Sequence, residues 1–226
     1  KRGLPEAANG RVKAFRQAFK WALEEEVSDL VTSNPARDVE YKRSGSQGHH
    51  SWTLEEVEQF ERRHPIGSRA RLALALLLYT AQRRSDIVRL GHQHVKNGWL
   101  RFTQAKNKDR KPVTLELPML PELKRIIGAS PVGIKTFLVT EFGKPFTPNG
   151  FGNWFRDRCI EAGVPGRAHG LRKAAAARMA ELGCTPHEIM SITGHVTIKE
   201  IERYTRGVRQ KALAEAAMNR MAKAAE

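Results

Sequence analysis

The chain has 226 residues and a formal net charge of +15 at pH 7. A surplus of this size favours a polyanionic partner, above all nucleic acid, over the alternative of a merely basic soluble protein. Its two cysteines, Cys159 and Cys184, are too few for a disulfide framework or a zinc site, and they fit a reducing cytoplasm. The longest apolar run, from Leu72 to Tyr79, is too short to span a membrane.

The first part of the chain, to about residue 40, predicts mostly helix, with apolar residues at helical spacing from Asn9 onward. So short a segment seldom buries enough apolar surface to fold alone, so we expect it to be the end of a helical domain. Residues 41–51 are rich in glycine, serine and charge, which is typical of a linker. We therefore divide the chain into residues 1–46, a domain end with its linker, and residues 47–226.

The second part opens with two well-marked helices. Thr53 and Glu56 predict a capping box at the start of a helix, and residues 68–79 are apolar nearly all round, as in a buried helix. Residues 99–103 and 111–117 alternate between apolar and polar side chains, and turn residues between them predict a β-hairpin. The fold class is therefore α+β, mainly α-helical with a small antiparallel β-hairpin or sheet.

The remaining elements are shorter. Residues 121–127 predict a helix, residues 136–139 a strand, and Thr147 the start of a longer helix. An aromatic and apolar stripe on that helix includes Cys159, which we expect to be an inert core thiol. Residues 208–226 predict a C-terminal helix. Its apolar stripe is formed by Leu213, Ala217 and Met221.

The stretch from His169 to Tyr204 contains the residue types that phosphoryl transfer through a tyrosine requires. His169 and Arg172 are three residues apart, and therefore lie on one face at the start of a predicted helix. A second, shorter helix ends at Gly194, and His195 follows that glycine directly. Tyr204 comes nine residues later, on a third short helix. These side chains are close enough in sequence to share one site.

The ordered set H-x-L-R, then G-H, then a tyrosine nine residues on resembles the catalytic half of the tyrosine recombinases, the phage-integrase type of site-specific DNA recombinase. The resemblance covers residues 51 to 207 and implies the integrase catalytic fold. It also implies that residues 1–46 are the end of an all-α core-binding domain. The implied activity is cleavage and rejoining of DNA through a 3′-phosphotyrosyl intermediate, without ATP, metal or another cofactor. A chromosome-dimer resolvase, a type IB topoisomerase-like enzyme and a non-cleaving DNA-binding regulator are the alternatives.

The resemblance also implies a set of site residues and their roles. Two arginines suit a phosphate because each guanidinium donates parallel hydrogen bonds to its oxygens. Tyr204 is the expected nucleophile, His169 a general acid or base beside it, and His195 a hydrogen-bond donor to the phosphate. Lys106 is the expected general acid for the leaving oxygen, with Lys108 and Lys111 as its rivals on the hairpin. The full catalytic set is Arg83, Lys106, His169, Arg172, His195 and Tyr204.

The chain departs from the family pattern T-G-x-R-x-x-E at two positions. Ala81 replaces the usual glycine, and Asp86 replaces the usual glutamate. We expect the shorter carboxylate of Asp86 to orient Arg83. The structural alternative for Arg83 is a helix-end arginine bonded to carbonyl groups, and Arg84 beside it is interpreted as a surface or packing residue.

The partner that the resemblance implies is double-stranded DNA at a recombination site. It further implies a homotetramer on that DNA, in which the C-terminal helix, residues 208–226, packs on a neighbouring subunit. Such a protein is expected to act in a prokaryotic cytoplasm, in association with the nucleoid and not with a membrane.

Overall fold

A computed structural model describes residues 4–24, 31–43, 50–106, 108–205 and 210–224. Within these ranges, the side chains of residues 203–205, 210–213, 216, 223 and 224 lie outside the description. The chain forms two compact units, Lys1–Gly48 and His49–Glu226. The assignment of the first unit to a core-binding domain stays a prediction, and most of the predicted linker lies outside the described residues.

The first unit contains one described helix, α1 (Pro5–Glu24). Residues 31–43, which include a turn at 35–38, are bonded to it. The side-chain amide of Asn9 exchanges two hydrogen bonds with the backbone of Lys42, each 2.8 Å long. Arg16 donates from Nε to the carbonyl of Ala36 at 2.8 Å. No described residue of α1 is buried; the two segments are joined by these hydrogen bonds and by the guanidinium of Arg16, which lies 4.6 Å from the ring centroid of Tyr41.

The second unit is mainly helical, which confirms the predicted class. A three-stranded antiparallel sheet has the order β1 (Val95–Lys96), β2 (Trp99–Thr103) and β3 (Thr114–Pro118). A 3-10 turn, His92–His94, leads into it. The helices are α2 (Leu54–Arg63), α3 (Arg69–Thr80), α4 (Arg84–Ile87), α5 (Pro121–Ala129), α6 (Pro148–Glu161), α7 (Ala168–Glu181), α8 (Pro186–Thr193), α9 (Ile198–Thr205) and α10 (Gln210–Ala224).

Side-chain capping explains where several helices begin. Thr53 and Thr185 each complete a capping box at the start of α2 and α8. Ser68 and Thr147 each accept an N–H from the first turn of α3 and α6. Helix α8 ends at Gly194, whose φ of 71° is in the left-handed region that favours glycine. The boundaries predicted at Thr53, Thr147 and Gly194 agree with these, because each depends on residues close in sequence.

Two strand predictions need correction. The second hairpin strand begins at Thr114 and not at residue 111. The predicted strand at 136–139 is wrong: the N–H of Phe137 donates to the carbonyl of Leu90 at 2.7 Å, in a loop. The described pairing of this segment is a single bridge between Val139 and Pro145. A buried extended segment therefore has its backbone groups bonded to loops and not to a neighbouring strand.

One hydrophobic core holds the second unit together, with α3 buried along most of its length. Aromatic rings from three segments meet in it: the Trp52 and Phe60 ring centroids are 5.6 Å apart, and those of Phe60 and Phe155 are 5.4 Å apart. The stripe on α6 belongs to this core. Burial raises the pKa of Cys159 on that stripe to about 12, so its thiol remains protonated at neutral pH.

Residues 50–52, which we call the entry segment, lie against the start of α7. Trp52 donates from Nε1 to the carbonyl of Arg167 at 3.1 Å, and its indole covers Gly166 so closely that a Cβ there would overlap the ring. The carbonyl of His50 covers Gly170 in the same way. Both positions require glycine because of the close approach. The entry segment therefore fixes the first turn of α7.

We expect Gly170→Ala to lower the free energy of unfolding by about 1–3 kcal/mol, because the added methyl group must displace the backbone of His50. Gly128→Ala in α5 is the matched control, since no atom lies within 4 Å of a Cβ built there. The control should be neutral or stabilising by up to about 1 kcal/mol. Urea unfolding measures both variants, and equal effects would contradict the close approach of His50 to α7.

Candidate active site

The ends of several elements meet at two adjoining clefts. Arg83, Lys106 and Glu200 line a cleft of about 380 Å³. Arg83 and His169 line a neighbouring cleft of about 430 Å³. Arg83 is thus the wall that the two clefts share, at the junction of α3 and α4. The structure brings the hairpin, the start of α7 and the start of α9 to this one region.

Arg172 is the buried member of the predicted set, with 2% of its surface exposed. Its Nη1 donates to the carbonyl of Ala81 at 2.8 Å, and its Nη2 donates to Nε2 of His195 at 3.1 Å. Ala81 ends α3 with a φ of 52°, in the left-handed region that favours glycine. Arg172 therefore joins the end of α3 to the residue that follows α8.

The hydrogen bonds of His195 determine which ring nitrogen carries the proton. A guanidinium only donates, so Nε2 must accept from Arg172. Nδ1 then carries the proton and lies 2.8 Å from Oγ1 of Thr193, whose hydroxyl donates to the carbonyl of Ile189 at 2.7 Å. Burial, followed by the charge of Arg172, lowers the pKa of His195 from 6.5 to about 4. His195 is therefore neutral at pH 7 and accepts from Arg172, whereas the sequence led us to expect donation to a phosphate.

The lowered pKa of His195 predicts a loss of stability in acid. Because the folded pKa of about 4 lies below the ordinary 6.5, protons bind the unfolded chain more tightly, and the stabilisation present above pH 6.5 decreases as the pH falls toward 4. Between pH 7 and pH 5 the loss is about 2 kcal/mol. His195→Gln lacks this titration. Urea unfolding at both values should therefore show the wild type losing about 2 kcal/mol more than the variant, and a difference between them that does not change with pH would contradict the assignment.

Asp86 is buried, and its contact differs from the expected orientation of Arg83. Its Oδ1 accepts the backbone N–H of Ala105 at 2.6 Å. Oδ2 is also buried and has no hydrogen-bond partner among the described residues. Arg83 instead donates from Nη1 to Oε1 of Gln104 at 3.1 Å. Since Ala105 directly precedes Lys106, the carboxylate of Asp86 holds the segment that leads from β2 to this lysine.

We expect Asp86→Ala to lower the free energy of unfolding by about 2 kcal/mol, because it leaves the N–H of Ala105 without its acceptor. Asp86→Asn retains an Oδ1 acceptor of the same shape, so its loss should be below about 1 kcal/mol. Urea unfolding of the two variants provides the comparison. Equal losses would mean that the negative charge, and not the hydrogen bond to Ala105, is what stabilises the protein.

The clefts discriminate among the three hairpin lysines. Lys106 and Lys111 both line the cleft that contains Arg83, and Lys108 is not among its described lining residues. Burial and the charge of Arg172 are the main causes of the lowered pKa of His195, and the charge of Lys106 adds to them. The geometry thus brings two of the three candidates to the site.

The two remaining predicted residues lie on helices α7 and α9. His169 is exposed in the first turn of α7 and lines the second cleft, together with Arg156 of α6. Tyr204 lies on α9, and its side chain is outside the described residues. Ile201 fixes this helix, since it is fully buried in a small satellite core. Its partners there are Ala176, Ala180 and Ile189. Helix α9 therefore packs on α7, which carries Arg172, and on α8, which precedes His195.

Three polar residues of the site were missed from the sequence: Gln82, Gln104 and Thr193 are all buried. They connect Arg83 to the end of α8 through side-chain hydrogen bonds. A signal for Gln104 is present, because strand alternation places it on the same buried face as Leu100 and Phe102. A buried amide on such a face must be hydrogen-bonded.

In the part of the chain that the structure describes, no three His, Cys, Asp or Glu side chains are grouped as a metal site would require. None of the helices described is both long and apolar enough to cross a membrane.

Residues 53–211, which are most of the chain, match the sequence model of the phage integrase family. The chain belongs to the phage integrase family. A relative in this family, the virulence plasmid integrase pGP8-D of Chlamydia trachomatis, is 26% identical over 153 residues. The match covers 64% of this chain and 45% of the relative, so the chain spans less than half of that protein's length.

Solved integrase structures share the fold of this family member. A lambda integrase dimer (residues 75–356) bound to a COC′ core site has a TM-score of 0.76 and 18% identity, covering 91% of this chain and 75% of the other. The Tn1549 transposon integrase with circular intermediate DNA has a TM-score of 0.74 and 18% identity, covering 95% and 78%. A lambda integrase tetramer on a Holliday junction has a TM-score of 0.71 and 20% identity, covering 88% and 61%. The expected integrase catalytic fold is confirmed.

Proposed function

We propose that this phage integrase family member is the catalytic part of a site-specific DNA recombinase that cleaves and rejoins DNA through a 3′-phosphotyrosyl intermediate. The observation that carries the proposal is the linkage of Arg172 to His195, beside a cleft lined by Arg83 and Lys106, in a chain that matches the family over residues 53–211. A net charge of +15 and the DNA bound in the related integrase structures support double-stranded DNA as the partner. Such a protein acts on DNA in a prokaryotic cytoplasm.

In the proposed reaction the phenolic oxygen of Tyr204 attacks the scissile phosphorus, the bond from phosphorus to the 5′-oxygen breaks, and a phosphotyrosyl ester forms on the 3′ side. The phenol loses its proton, for which His169 is our candidate acceptor. Lys106 protonates the leaving 5′-oxygen. The ester conserves the energy of the broken bond, so the reverse attack by a 5′-hydroxyl rejoins the strand without ATP.

The two arginines neutralise the non-bridging oxygens, on which negative charge increases as the tyrosine attacks. Arg172 is ordered before DNA binds, because Ala81 and His195 hold its terminal nitrogens. The neutral His195 acts in this state by positioning Arg172. Donation from Nε2 to a phosphate requires His195 to give up that contact and move its ring proton.

Assembly on DNA is the second part of the proposal. Helix α10 exposes Met218 and Met221 at 63% and 67%, while Arg220 between them donates to the carbonyl of Gly183 in the same chain at 3.0 Å. The helix is thus bonded to its own unit through a polar contact and leaves its two described methionines uncovered. We propose that a neighbouring subunit covers them in a tetramer, as the tetrameric lambda integrase on a Holliday junction suggests.

Covalent capture tests the reaction and identifies the target site in the same experiment. We expect the wild type, incubated with sheared DNA of its source genome and recovered under denaturing conditions, to retain DNA that sequencing assigns to one site. The chain has three tyrosines, so Tyr204→Phe should abolish retention while Tyr41→Phe and Tyr79→Phe preserve it. On a nicked duplex of the captured site, Arg83→Ala or Arg172→Ala should slow adduct formation about a hundredfold or more.

The control for the arginine variants is Arg125→Ala, which should react at the wild-type rate. Arg125 is an exposed residue of α5 and is paired with Glu122. Retention by Tyr204→Phe would refute the assigned nucleophile. If the wild type binds one site and retains no DNA there after denaturation, the non-cleaving regulator is the correct function.

A further inference from the structure

Two buried glutamines lie between the residues of the site. Gln82 and Gln104 are 0% and 2% exposed, and we call them the glutamine pair. Gln82 lies between Ala81 and Arg83 in sequence, and Gln104 follows β2, two residues before Lys106. A buried primary amide must satisfy two N–H donors and one carbonyl acceptor. The partners of these groups reveal what the pair does.

Gln82 uses both of its donors on backbone carbonyl groups. Its Nε2 donates to Thr80 at 2.7 Å and to Ile192 at 2.8 Å. Because those two partners can only accept, the amide nitrogen must face them, and the oxygen must point the other way. That oxygen accepts from Nε2 of Gln104 at 2.7 Å. The backbone at the ends of α3 and α8 therefore determines the orientation of Gln82.

The same reasoning orients Gln104. Its Nε2 donates to the oxygen of Gln82 and to the carbonyl of Thr193, the second at 2.9 Å. With both donors used, its Oε1 must face away, and it accepts from Nη1 of Arg83 at 3.1 Å. Rotating the amide by half a turn would present N–H groups to a cation and oxygen to a carbonyl. The glutamine pair thus presents an acceptor to Arg83 in a single orientation.

Gly194 provides the space for this arrangement. A Cβ at Gly194 would lie 2.5 Å from Nε2 and 2.9 Å from Cδ of Gln104. The glycine before His195 is therefore required twice, for its φ of 71° and for the amide that packs against it. Gln104 in this way contacts both Arg83 and the segment that presents His195.

We propose that Gln104 is a positioning residue for Arg83, and that Gln82 fixes the direction of its amide. The proposal rests on the proposed function, in which Arg83 neutralises the scissile phosphate. Gln104 holds one terminal nitrogen of Arg83 at the back of the cleft, so that the guanidinium is aimed before DNA arrives. Its hydrogen bond to the carbonyl of Thr193 also fixes the position of Arg83 relative to His195.

The first test compares two substrates. On the nicked captured site, Gln104→Met should slow adduct formation about tenfold to a hundredfold, as expected when a charged group is displaced by about 1 Å. On the same DNA with a neutral methylphosphonate at the scissile position, there is less charge for Arg83 to neutralise. The loss should then shrink to less than about threefold relative to wild type, as it should for Arg83→Ala. An equal loss on both substrates, or no loss on either, overturns the proposal.

The matched control is Gln93→Met. Gln93 is an exposed glutamine whose Nε2 donates to the carbonyl of Lys135 at 2.9 Å. It lines neither of the two clefts, so this variant should react as wild type on both substrates. If Gln104→Met does not fold, Gln82→Met replaces it, because loss of the Gln82 oxygen frees the Gln104 amide to rotate. Gln82→Met should show the same dependence on substrate charge.

The second test needs no DNA, so it separates this proposal from the proposed function. In the ¹⁵N-labelled free protein, relaxation of the Arg83 Nε–H should report an ordered side chain in wild type and in Gln93→Met. Its order parameter should fall toward that of an exposed arginine in Gln104→Met. An unchanged order parameter refutes the positioning role even if the enzyme cleaves DNA. A wild type that forms no adduct refutes the recombinase function and leaves this result interpretable.

Discussion

A positive charge in the interior is the constraint on which the site depends. Arg172 is 2% exposed, and a buried guanidinium is tolerated only where acceptors surround it. Two of its acceptors come from Ala81 and His195, which follow different helices. Ala81 pays for its part with a left-handed φ of 52°, which costs a residue with a side chain about 1 kcal/mol. Arg172 thus links the ends of α3 and α8, and the residues after these ends supply its hydrogen-bond acceptors.

Most of the helical framework was predictable because its signals are local. Thr53, Ser68, Thr147 and Thr185 each cap a helix through a residue at most three positions away, and a motif of that length is visible in a single sequence. The hairpin was predictable for the same reason. The prediction of a strand at 136–139 was wrong for the opposite reason. The local pattern is that of a strand, but the backbone of Phe137 is bonded to Leu90, which is distant in the chain.

The candidate site shows the same division. The motif identified residues that the fold brings to one region. It also led us to expect Asp86 beside Arg83, whereas the carboxylate of Asp86 accepts the N–H of Ala105 on the hairpin. It also passed over Gln82 and Gln104, because a glutamine carries no chemistry of its own. Their importance comes from partners such as Thr193, which is 89 positions from Gln104. Reactive side chains can be identified in a sequence by residue type. The side chains that position them can be identified only from their contacts in the folded structure.

The close contact between the entry segment and α7 bears on where the catalytic unit begins. The family match starts at residue 53, but Trp52 is 5% exposed and fills the space between Phe60 and Gly166. A fragment cut at the family boundary would lose this side chain and the carbonyl of His50, and the first turn of α7 would lose its cover. The functional limit of the second unit therefore lies at or before residue 50, and any replacement of the first unit must leave these residues attached to the second.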